Sequence, residues 1–91
     1  MHKNLEVTIN SMKTPIMGPL APSELKTGTT YKVRTQDGIH LAQIHGPMRD
    51  QNGVEFYIIE NEGGDEYDVE YKGRGMWDAG HYYGKITIYN L

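Results

Sequence analysis

Apolar residues in this chain recur mainly at every second position, and no stretch sustains the three-to-four spacing of a helix. Leu5, Val7 and Ile9 alternate with Glu6, Thr8 and Asn10, which predicts a half-buried strand over about 4–11. Tyr31 and Val33 against Lys32 and Arg34 predict a second over 29–35, and a third follows over 39–45. In the run 54–60 the central Phe56, Tyr57, Ile58 and Ile59 are apolar on both faces, as in a strand covered on both sides or one bending across a small barrel. The alternation is cleanest over 65–71, where Tyr67, Val69 and Tyr71 oppose Glu66, Asp68 and Glu70. A last strand is predicted over 85–91, with Ile86 and Ile88 inward.

Turn residues punctuate these runs. Three prolines between Thr14 and Pro22 remove ladder amides, so regular structure should stop there, with Ile16, Met17 and Leu20 free to cap the open end of a core. Ser23 before Glu24 and Leu25 predicts one capped helical turn. Gln36-Asp37-Gly38 is a hairpin signal, Gly46-Pro47 should end the third strand, and Asn61 to Gly64 should turn the chain again. Five or six short strands at such spacing predict an all-β domain, a small antiparallel barrel or sandwich with at most one short helical turn. The succession is similar in layout to an SH3-like barrel or a curtailed OB-fold, a likeness that implies no function. Its core should be Val7, Ile9, Tyr31, Val33, Leu41, Phe56, Ile58, Tyr67, Val69, Ile86 and Ile88.

Composition narrows the class. A chain of 91 residues is expected to form one domain, an N-terminal strand and proline-rich segment over 1–22 followed by a barrel core over 23–91. Without cysteine it holds no disulfide and no thiolate metal site. No apolar run approaches the roughly 20 residues of a membrane span, and Met-His-Lys-Asn opens no export signal. The expectation is a soluble, cytoplasmic protein. The net charge of -3 hides a polarity: residues 1–49 carry six basic and three acidic side chains, residues 50–91 three and nine. That balance counts against a general nucleic-acid binder, whose affinity comes largely from phosphate neutralisation.

Two stretches carry candidate chemistry. Between Glu60 and Glu70 stand six carboxylates without a Lys or Arg, with Glu66, Asp68 and Glu70 on one face. Such a face either steers a basic partner or is simply solvated and keeps strand edges from aggregating. The stretch Gly73 to Gly84 gathers Arg74, the single tryptophan Trp77, Asp78, His81, Tyr82 and Tyr83 among four glycines, a long loop offering aromatic faces and donors. Trp77 there is either a contact residue or a plug for the barrel end. Phosphate-loop spacing is missing, the ligand order of a calcium loop is missing around Asn61 to Asp65, and His40 and His45 fall on opposite strand faces. No cofactor or metal is implied. Asp78 with His81 is the nearest approach to an acid-base pair, and neither Ser11 nor Ser23 sits in a nucleophile motif, so no enzyme is expected.

These features support first a non-catalytic protein-interaction module docking a larger protein through the acidic strand and the aromatic loop, as a stoichiometric inhibitor or adaptor of the kind phages encode as small proteins. A second reading is a small-ligand or nucleotide binder using the loop's aromatics and Arg74. A third is a nucleic-acid module using Lys26, Lys32 and Arg34.

Overall fold

The computed structural model describes residues 17–91. The strand expected over 4–11, with Val7 and Ile9, therefore lies outside the described residues, as does Ile16. Six strands form a closed antiparallel barrel: β1 (Thr30–Thr35), β2 (Gly38–Arg49), β3 (Glu55–Asn61), β4 (Glu66–Gly73), β5 (Met76–Asp78) and β6 (Lys85–Asn90). Each pairs with its neighbour in sequence, and β6 closes on β1. One 3-10 turn, Pro22–Glu24, is the sole helical element among the described residues. Ser23 lies inside that turn rather than capping it; the Glu24 carboxylate instead accepts the Ala21 N–H at 2.7 Å.

The period of two is obeyed where the expected parity was unambiguous. Tyr31 and Val33 of β1, Tyr67 and Val69 of β4, and Ile86 and Ile88 of β6 all point into the core. Two strands correct the expectation. On β2 the inward residues are Ala42 and Ile44 rather than Leu41, because Leu41 lies opposite the outward Lys32 and Ala42 opposite the inward Tyr31. On β3 the inward residues are Tyr57 and Ile59, while Phe56 and Ile58 are half-buried outside. Both parities of that run are apolar, so the partners decide. Tyr57 lies opposite Val69 and Ile59 opposite Tyr67, and residues directly opposite share a face.

Strand β2 does not end at Gly46-Pro47. It runs on to Arg49 through a bulge, His45 pairing with Ile58 and Met48 with Phe56, so that one extra residue enters β2 beside the cis Gly46-Pro47 bond. Gly46 sits at φ +139, and a Cβ there would fall 2.8 Å from Tyr57 Cδ2. The backbone thus passes directly over the tyrosine ring, an approach that only glycine permits.

Strand β5 went unpredicted, and it is the short member of the wall. It meets β4 at Glu70/Asp78 and Tyr71/Trp77, and β6 at Trp77/Ile86 and Asp78/Lys85. Beyond its start, the segment before β1 completes the wall. Leu20 N–H donates to Ile88 O at 2.8 Å, and Trp77 Nε1–H donates to Leu20 O at 3.0 Å. Leu20 is fully buried and performs the capping expected of this segment, whereas Met17 is exposed.

The corrected parity of β3 has a measurable consequence. Ile59→Ala should cost about 2–5 kcal/mol in urea unfolding and Phe56→Ala less than about 2 kcal/mol. The reverse ranking would put Phe56 in the core.

Candidate functional site

The stretch from Gly73 to Gly84 is not one loop, because β5 divides it. Its first half is a hairpin tip in which Gly73, Arg74 and Gly75 all have positive φ. Tyr71 Oη accepts the Gly75 N–H at 2.7 Å, and a Cβ on Gly75 would fall 2.5 Å from Pro19 Cβ, so the tip is held against the Leu20 segment. Arg74 projects from this tip into solvent. Trp77 follows on β5 with 0% of its surface exposed, its ring 5.3 Å from Tyr57 and 4.9 Å from Tyr71. Of its two sequence readings the structure takes the plug. Trp77 is core, and Arg74 is parted from the aromatic cluster by the length of β5.

The second half of the stretch folds under the other end of the barrel. Asp78 Oδ1 accepts the Gly80 N–H at 2.9 Å, which turns the chain away from β4. Ala79 N–H donates to Gly84 O at 2.6 Å and Gly84 N–H to Gly80 O at 3.0 Å, closing the turn. Tyr83 is thereby laid against Tyr67 at 4.9 Å and His40 at 5.7 Å, while His40 Nε2 shares a 2.9 Å hydrogen bond with the Tyr67 hydroxyl. Burial lowers the His40 pKa from its ordinary value of 6.5, and burial together with the nearby Tyr83 raises that of Tyr67, so both stay uncharged at neutral pH. Tyr82, the other half of the tyrosine pair, is 69% exposed.

Between this turn and the outer face of β4 lies an open cleft of about 520 Å³. Glu66, Asp68 and Glu70 line it, with Asp78, His81 and Tyr82 on one bank and Asp50 and Phe56 on the other, and no Lys or Arg is among the lining residues. The carboxylates are not equivalent. Asp50 Oδ1 accepts the Asn52 and Val54 N–H groups of the β2–β3 turn, and Asp78 is engaged as above. Glu70 pairs with Lys72 at 2.9 Å, and the hydrogen bond and charge of Glu70 raise the Lys72 pKa. Glu66 and Asp68 have no side-chain partner among the described residues. Their charges therefore act on whatever enters the cleft.

The structure thus unites Glu66, Asp68, Glu70, Asp78, His81 and Tyr82, sets Tyr83 beneath them as a support, and leaves out Arg74 and Trp77. No hydrogen bond joins Asp78 to His81 among the described residues, so the geometry of an acid-base pair is absent there. No group of three or more His, Asp or Glu among the described residues converges as metal ligands would. Sequence reasoning missed Asp50 and Phe56. The Asp50 to Gly53 turn was legible as a turn, but its position beside β4 depends on the β2 bulge.

No family model, no curated protein and no solved structure matches the chain.

Two outcomes follow. Trp77→Ala should destabilise the barrel by about 3–5 kcal/mol, with wild-type emission blue-shifted and shielded from quencher, whereas Arg74→Ala should leave the urea midpoint nearly unchanged. A readily quenched Trp77 would contradict this placement. The lowered pKa of His40 favours its neutral form in the fold, so its contribution is complete above pH 6.5 and is lost as pH falls through the lower folded-state value. Unfolding free energy measured against pH should decline below about 6.5, and a His40→Gln variant should lack that part of the decline.

Proposed function

We propose that this chain is a non-catalytic protein-interaction module whose acidic cleft docks a basic surface of a larger protein. The observation that carries the reading is the pair of unpartnered carboxylates, Glu66 and Asp68, in a cleft without a lining cation and beside a tyrosine that is 69% exposed. Uncompensated charge in a concave site focuses its field and speeds encounter with an oppositely charged partner. Tyr82 offers a ring face on which a lysine or arginine head group can rest, a contact that gains strength as water is excluded. The bank formed by Phe56 adds apolar area to what would otherwise be a purely electrostatic site.

The nucleotide reading, built on the loop's aromatics and Arg74, keeps Tyr82 at the cleft but not Trp77, which is inside the barrel, nor Arg74, which does not line the cleft. A phosphate placed there would face carboxylates. The nucleic-acid reading rests on Lys26, which is exposed, and on Lys32 and Arg34, which point outward from β1, while the aromatic nearest them, Tyr31, is buried. An inhibitor or adaptor role, with the phage-type origin such small proteins suggest, agrees with a small domain that offers an open acidic cleft.

The test begins with immobilised chain exposed to cell extract, with and without nuclease, followed by kinetics on the retained macromolecule. Replacing Glu66, Asp68 and Glu70 by their amides should slow association roughly tenfold at low salt and change dissociation much less. Added salt should erase the difference. An association rate indifferent to the three substitutions would reduce the face to a solvated one, and retention of a small molecule in place of a protein would favour the ligand reading.

A further inference from the structure

The acidic cleft is also a break in the hydrogen-bonding of the barrel wall. Asn61 N–H donates to Asp65 O at 2.9 Å, which makes these two residues a hydrogen-bonded pair at the β3–β4 turn. Antiparallel pairs alternate between bonded and non-bonded. With the register Glu60/Glu66, Ile59/Tyr67, Ile58/Asp68 and Tyr57/Val69, the backbones of Tyr67 and Val69 exchange bonds with β3, and those of Glu66 and Asp68 point away from it. On that far side pairing with β5 reaches only to Glu70, opposite Asp78. The chain then turns off at Ala79 and Gly80, so the N–H and C=O groups of Glu66 and Asp68 have no backbone partner among the described residues. The corresponding deficit on β6 is met by Leu20, whose N–H reaches Ile88 O. Along β4 no described residue plays that part, and all of Glu66 to Glu70 lines the open cleft.

We propose that the cleft accepts an extended segment of a partner protein as an added strand, bonded to the free edge of β4 at Glu66 and Asp68 and carrying lysine or arginine at alternate positions. Resting on the docking role proposed above, this names the partner's conformation and side-chain pattern. An added strand lies about 4.8 Å from β4, and its side chains alternate between two faces. Those on the outer face stand beside Glu66 and Asp68, where opposite charge is the favourable cross-strand choice. Those on the other face meet the side of β4 that carries Tyr67 and Val69, and apolar residues suit them. Main-chain bonds then supply affinity and the alternation supplies selectivity, the logic of strand addition to an exposed sheet edge. The chain's own residues 5–9 read Leu-Glu-Val-Thr-Ile, with an acid rather than a cation between the apolar positions, so charge complementarity points to another protein.

The experiment uses the full chain and a capped peptide of alternating lysine and valine, about seven residues long, with a composition-matched peptide whose lysines are consecutive as the control. Amide exchange is followed residue by residue by NMR. The alternating peptide should bind better than its control and slow exchange of the Glu66 and Asp68 amides by about tenfold or more, leaving Tyr67 and Val69, already bonded to β3, nearly unchanged. Methylating the peptide nitrogens that face β4 should weaken binding about tenfold, whereas methylating the alternate set should not. Equal binding of both peptides without protection at Glu66 and Asp68 would overturn strand addition while leaving the acidic docking reading intact. Protection and order-selective binding that persist unchanged in the triple amide variant would support strand addition while removing the charge-steered reading. Protection of both amides in the free chain at every concentration would mean that its own residues 1–16 cover the edge, and protection that grows with concentration would mean a second copy does; either overturns the proposal.

Discussion

A barrel has no edges only if every strand is long enough to satisfy its neighbours, and here one is not. β5 contributes three residues between flanking strands of eight and six. Backbone N–H and C=O groups left beside so short a strand must find other partners or face water, since an unpaired buried amide costs about as much as a lost hydrogen bond. The molecule meets the requirement in two ways. Toward β6, Leu20 crosses the gap and is itself held by the indole N–H of Trp77. Toward β4 no described residue fills the gap, and the unfilled part coincides with the acidic cleft.

This arrangement explains why the single tryptophan lies where it does. Trp77 is central to the shortest strand, packs between Tyr57 and Tyr71, and spends its one donor on the segment that completes the wall. Its ring and its hydrogen bond thus serve one purpose. At the other end of the barrel Tyr83, Tyr67 and His40 form a second cluster, with uncharged polar groups bonded to each other in place of water. Aromatic residues of the 73–84 stretch and their immediate partners thus serve both the barrel wall and its packing, and the acidic cleft lies beside them on the flank of β4.

Much of the fold was legible because the period of two is hard to mistake when the opposing positions are polar. β1, β4 and β6 alternate with Lys, Arg, Glu, Asp or Thr, and their inward residues agree with expectation. β3 was ambiguous because Phe56 to Ile59 is apolar on both parities, and only pairing with Val69 and Tyr67 selects Tyr57 and Ile59. In the sequence Gly46-Pro47 reads as a terminator of β2, whereas in the barrel a bulge carries the strand through to Arg49. A three-residue strand between glycine-rich turns is too short to display any period, so β5 has no signature in the sequence and Trp77 carries two meanings there. The acidic residues of the cleft were legible from their alternation on β4. The unfilled edge beside them was not, since a missing partner leaves no mark in a sequence.

The position of Trp77 divides the protein's optical signals. Indole emission reports the barrel interior and the Leu20 crossing, and its ring has no exposed surface through which a molecule in the cleft could touch it. Tyr82 stands at the cleft mouth and is the chromophore that an occupant would meet first. Intrinsic tryptophan fluorescence is therefore a reporter of folding that stays largely silent to occupancy, and difference absorbance or isotope labelling of tyrosine is the channel through which occupancy becomes visible.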